Sequence, residues 1–179
     1  MSNIIILLFA FLGDILLGKY LGQGFVGYGI SASSNLLLIA LVLITFKDDQ
    51  KTIVFSSFFV GFLLDLFNMD TFYTYALIFV AVAFIVNLWS TRINDTFIEL
   101  FFLTLAAIFV KEFLLYLYNV ALNNYILSIK LWAVNHLTYT LFLSLLPIII
   151  GVMIKIRINE KRIRDQRMSK KSDFIHYGN

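Results

Sequence analysis

Six runs of mostly apolar residues, at about 3–20, 30–46, 52–69, 72–90, 96–118 and 131–155, follow one another with only short connections between them. Nothing else in the chain constrains its fold as strongly. The hydrocarbon core of a bilayer is about 30 Å thick and takes roughly 20 mostly apolar residues per helix. The third and fourth runs are separated only by the sequence NMD and its neighbours, so a tight antiparallel hairpin is expected there. No soluble domain fits between the runs. The expected fold is an all-α integral membrane protein, a bundle of six transmembrane helices over 1–156 with a basic cytoplasmic tail at 157–179.

Charge gives the orientation. From Lys155 onward there are eight Lys or Arg against three Asp or Glu, whereas the preceding residues carry six basic and eight acidic groups. Six spans put both termini on one side. With that side inside, Lys47, Lys51, Arg92 and the tail give eleven inner cations, against Lys19 and Lys130 outside. This is the positive-inside pattern, so a multi-pass protein of the cell membrane with inner termini is expected. Tyr20, Tyr28, Tyr73, Tyr75, Tyr116, Tyr118, Tyr125 and Trp132 fall near the outer boundary, where rings with a polar handle settle. The first run has no basic residue before it and no small-residue cleavage site after it, and reads as a retained helix rather than a signal peptide. Gly22, Gly24, Gly27 and Gly29 mark an outer loop after it, and Pro147 predicts a mild kink in the sixth helix.

Four ionisable groups lie well inside apolar runs: Asp14, Asp65, Lys111 and Glu112. Each costs about 2.5–3.5 kcal/mol in a bilayer centre on insertion scales, so all are expected to face the bundle interior or the outer interface. In the six-span topology Asp14 sits near mid-depth and the other three in the outer half, where they converge as one polar cluster. Glu112, Tyr116 and Asn119 stand at i, i+4 and i+7, one stripe of the fifth helix. Lys111 points about 100° away, with Asp65 or Asp14 as expected partners. Asn135, His136 and Tyr139 begin a second patch, and SASSN at 31–35 adds hydroxyls and an amide. The cluster reads as structural pinning, with Asp65 accepting N–H bonds from the turn at Asn68. A groove for a partner or ligand, and proton or ion transport, are the other readings.

Catalytic chemistry finds little footing. The chain has no cysteine, which excludes disulfides and thiolate sites. His136 has no carboxylate or second imidazole at i±3 or i±4 to share a metal. The serines lack a placed base, there is no G-x-S-x-G elbow, and no glycine-rich phosphate loop is present. No enzyme activity, metal or cofactor is expected. The basic tail after a membrane helix reads as a segment touching anionic lipid headgroups rather than nucleic acid.

The stretch GFLLDLFNMDTFYTYAL at 61–77 resembles the third-helix signature of the rod shape-determining MreD family, close to G-[FL]-L-x-D-L-x-[SN]-G-x-x-x-G-x-x-A-L. Gly61, Phe62, Leu63, Asp65, Leu66, Asn68, Ala76 and Leu77 match, while Met69 and Tyr73 stand where that pattern has glycine. SNLLLIALVLITF resembles the family's second helix, with Ser34 in place of a proline, and VKEFLLYLYNVALN its fifth, with Glu112 and Phe113 in the usual place.

The resemblance implies a non-enzymatic scaffold subunit of the bacterial cell-elongation machinery (the elongasome), which supports peptidoglycan synthesis and cell shape. It implies an MreC-like single-span partner, with RodA-type and penicillin-binding-type synthases in the same assembly. It also implies a six-helix arrangement similar to the substrate-binding subunits of energy-coupling-factor vitamin transporters, which supply the alternative function. Such subunits often carry an alanine-rich docking face on helix one, whereas this run has only Ala10.

Overall fold

The structure, a computed structural model, describes residues 2–24, 31–67, 73–90, 92–122 and 128–176, with side chains at 4–19, 31–67, 73–90, 92–122, 128–162 and 164. Its helices are α1 Ser2–Gly24, α2 Leu36–Thr45, α3 Gln50–Phe67, α4 Thr74–Ser90, α5 Phe97–Ala121 and α6 Ile129–Trp132. A π-helical turn at Ala133–Leu137 follows, then α7 at Thr138–His176, with no strand among the described residues. Among the described residues, three helical runs are long and apolar enough to cross a membrane: Gln50–Phe67, Phe97–Ala121 and Ile129–Arg162. Leu36–Thr45 and Thr74–Ser90 are apolar but shorter.

The apolar surface is turned outward as well as inward. Phe55 and Phe142 are 74% and 75% exposed, and Ile4, Phe9, Leu77 and Phe102 are exposed with them. A water-soluble domain rarely leaves so many large apolar side chains bare, whereas lipid covers them without penalty.

The core forms around α2. Leu37, Leu38, Ile39, Leu41, Val42 and Leu43 are all buried, so this helix is apolar on every side and packed against protein over most of its surface. It packs against α1, α3, α4, α5 and α7. At ten residues it is about 15 Å long.

Here the structure differs from the run expected at 30–46: the helix begins only at Leu36, and residues 31–35 are not helical. Serine and asparagine side chains compete with the helical ladder, and these residues bond sideways to α5 and α7 instead. The segment runs parallel to the last helix. Ser31 meets Asn135 and His136, Ser33 meets Thr140, Asn35 meets Ser144, and farther on Ile39 and Leu43 lie against Gly151.

Two further boundaries move. Helix α1 continues to Gly24, so Gly22 and Gly24, read as loop residues, belong to it; Gly27 and Gly29 lie outside the described residues. The last helix passes through Pro147 and on into the basic segment as far as His176.

Helices α3 and α4 form the most closely packed hairpin. A Cβ built on Gly61 would sit 2.6 Å from both the Ala76 Cα and the Tyr75 carbonyl oxygen, so the two backbones meet there with no room for a side chain. Small residues let helices approach in this way where lipid surrounds them. Tyr73, just before α4, has a φ of 61°, the left-handed region that disfavours side chains, and its ring stacks on Phe62 at 5.9 Å.

Candidate functional site, a polar network inside the bundle

The two aspartates do the same job on different hairpins. Asp65 of α3 accepts the N–H groups of Tyr75 at 3.0 Å and Ala76 at 2.9 Å, at the start of α4. Asp14 of α1 accepts those of Leu36 at 2.7 Å and Leu37 at 2.9 Å, at the start of α2, together with the Ser34 hydroxyl at 2.5 Å. The first N–H groups of a helix have no partner within it, and a carboxylate also complements the positive end of the helix dipole. Each aspartate therefore caps the next helix from a neighbouring one. The expected link between Asp65 and the turn after α3 thus reaches past that turn to α4 itself; Asn68 lies outside the described residues.

The third acid, Glu112 of α5, lies deeper and is 2% exposed. Its Oε1 accepts from the Ser33 hydroxyl and from Lys111 Nζ, the latter at 2.8 Å, and its Oε2 faces His136 Nε2 at 3.1 Å. With Nε2–H donating to Glu112, His136 Nδ1 accepts from the Ser31 hydroxyl at 2.8 Å. The ammonium of Lys111, 4% exposed, also donates to Asn35 Oδ1 at 2.8 Å. The hydrogen bonds of Lys111 go to its own neighbour Glu112 and to Asn35, while Asp14, one of the two partners expected for it, acts on it through its charge and caps α2. The polar residues form two helix caps and one ion-pair network, with Asp14 and Lys111 bordering the same cavity.

The network joins four parts of the chain. Ser31, Ser33 and Asn35 come from the extended segment, Lys111 and Glu112 from α5, His136 from the π turn, and Thr140 and Ser144 from α7. In the wider turn at Ala133–Leu137 the Asn135 carbonyl accepts the Ser31 N–H at 3.0 Å, so Asn135 contributes through its backbone. Two members of the expected α5 stripe make other contacts, and Trp132 links the first of them to His136 by stacking at 6.3 Å. The Tyr116 ring lies on Trp132 at 4.6 Å, and Asn119 Nδ2 bonds the Leu115 carbonyl of its own helix at 2.9 Å.

Thr140 and Ser144 are the residues that sequence reasoning missed. Their signal was present, since His136, Thr140 and Ser144 repeat every four positions along one face.

Beside the network lies a cavity of about 490 Å³, bordered by Asp14, Ser33, Ser34, Asn35, Tyr75 and Lys111. Its volume is in the range of small-molecule sites. Among the described residues no group of three His, Cys, Asp or Glu could hold a metal ion. Chemically, the arrangement binds helix ends and buries a compensated ion pair. No family model matches the chain, and neither any curated protein nor any solved structure does.

Proposed function

We propose that this chain is a membrane scaffold subunit of the MreD type, acting without catalysis in the bacterial cell-elongation machinery and holding an MreC-like single-span partner. In this reading it crosses the cell membrane six times with both termini at the basic, cytoplasmic side. The residues that carry the resemblance in α3 also carry the architecture: Gly61 admits α4 and Asp65 caps it. That pairing is the observation on which the reading rests. The acids of the apolar body are engaged in joining helix to helix, as a rigid platform for a partner requires. Exposed rings on several helices offer the apolar surface against which a partner helix packs.

A second reading, the substrate-binding subunit of a vitamin transporter, draws on the cavity of about 490 Å³ and its polar border. One experiment separates the two: purification from native membranes in mild detergent, followed by mass spectrometry of what is retained. A single-span, largely extracellular protein in near-fixed ratio is the expected result. A tightly held small molecule together with an ATPase-linked module would replace the scaffold with the transporter subunit.

A further inference from the structure

At the opposite end of the bundle from the polar network, α1 and α7 both pack on α2, yet α1 and α7 share no extended contact among the described residues. Between them runs a groove of about 770 Å³, floored by α2. It is closed toward the network, where Gly13 and Asp14 draw α1 onto Leu36: a Cβ on Gly13 would stand 2.7 Å from the Leu36 side chain. Its depth is apolar, with Ile39 and Leu43 on the floor and Leu146, Ile150, Ile154 and Ile158 along α7. The open mouth carries Lys47, Asp48, Asp95, Lys155 and Arg162. Lys47 is already paired with Asp95 at 2.6 Å, and Asn159 donates to the same carboxylate at 3.4 Å. Neither Lys155 nor Arg162 forms an ion pair among the described residues. They stand seven positions apart on one face of α7.

We infer that this groove holds one anionic phospholipid, its acyl chain lying along α2 and α7 and its phosphate meeting Lys155 and Arg162. The mouth has three cations and two carboxylates, a net single positive charge that one phosphodiester neutralises. Length argues for a lipid over a partner helix. From Leu146 to Ile158 the apolar lining runs about 18 Å, close to the half-thickness of about 15 Å that one leaflet presents. A spanning helix would need about twice that length, and the Gly13–Leu36 contact closes the path. The site is distinct from the diffuse attraction of the basic tail, because it combines an apolar slot with cations fixed at its rim. It rests on the groove's geometry and charge and on the chain's lying in a bilayer, and is independent of which partner a scaffold would bind.

The test uses the full chain, delipidated and placed in mixed micelles with equal dioleoyl-phosphatidylglycerol and dioleoyl-phosphatidylcholine. Native mass spectrometry then reads the lipids retained. One phosphatidylglycerol per chain should be kept, about tenfold or more over phosphatidylcholine, as two juxtamembrane cations would give. Lys155→Gln with Arg162→Gln should abolish that preference. Ala40→Phe, which fills the groove from its floor, should remove the bound lipid while the melting temperature holds. Ile154→Trp repeats the filling from α7 in case Ala40→Phe fails to fold. Lys170→Gln with Lys171→Gln, in the tail, should change nothing. Equal retention of both lipids, retention unaffected by the groove variants, or loss caused by the tail pair alone would overturn the assignment. So would crosslinking from Ile150 in native membranes to a protein helix instead of a lipid.

Discussion

Gly61 and Asp65 stand one helical turn apart on the same face of α3 and together receive the first turn of α4, one by lacking a side chain and the other by supplying two acceptors. The spacing of four makes them a unit, because residues at i and i+4 lie above one another on a helix. Ser57, four positions earlier and fully buried, extends the face.

Removing either half should loosen the hairpin. Asp65→Ala leaves two N–H groups at a buried helix start without acceptors, at about 1–3 kcal/mol each. Asp65→Asn keeps one acceptor and should lose about half as much. Gly61→Ala forces a methyl group into backbone at 2.6 Å and should cost about 1–3 kcal/mol by overpacking. Thermal unfolding in detergent should rank Asp65→Ala below Asp65→Asn below wild type. Equal melting temperatures for all three would remove the capping role.

Tyr73 offers a sharper comparison. Its left-handed backbone costs about 1–2 kcal/mol for a residue with a side chain, and its ring recovers about 0.5–1.5 kcal/mol by stacking on Phe62. Tyr73→Gly removes both terms and should leave stability within about 1 kcal/mol of wild type. Tyr73→Val loses the ring and, being β-branched, meets more strain at this φ than tyrosine does, and should fall by about 2 kcal/mol or more. A valine variant as stable as the glycine one would contradict the backbone conformation.

The ion pair should behave non-additively. Lys111→Met leaves Glu112 charged and buried, and Glu112→Gln strands Lys111; each should cost about 3–5 kcal/mol. Lys111→Met with Glu112→Gln removes both charges and should cost clearly less than the sum of the two. A double-mutant cycle on unfolding measures the difference, and strict additivity would mean that the two groups do not act as a pair.

Because the chain has no cysteine, single introduced ones report on topology without background. In the six-span reading, Lys51→Cys and Arg92→Cys should resist a membrane-impermeant thiol reagent in intact cells, while Lys19→Cys and Lys130→Cys react. Labelling of all four, or the reverse pattern, would overturn it.

Much of this architecture could be read from residue order alone. The helices of α3, α4 and α5 begin and end within a few positions of the apolar runs, because there the pattern is uninterrupted. The start of α2 was not legible. Ser31–Asn35 looks like the polar opening of a helix, and only the distant Thr140, Ser144, Glu112 and His136 make an extended conformation favourable. The ionisable residues were identifiable from their cost in an apolar setting, but their partners were not. Lys111 was matched to aspartates on other helices by charge, whereas both aspartates were committed to helix starts 22 and 10 residues farther along the chain. Backbone N–H groups carry no letter in a sequence, so a cap of this kind is invisible until the fold is seen.

The two aspartate caps also bear on how the protein is made. Asp14 finds its acceptor role only when α2 is beside α1, and Asp65 only when α4 is beside α3. A helix that leaves the translocon singly would carry a bare carboxylate into hydrocarbon. In the six-span reading the first four helices would enter the membrane two at a time, with the hairpin as the unit of biogenesis.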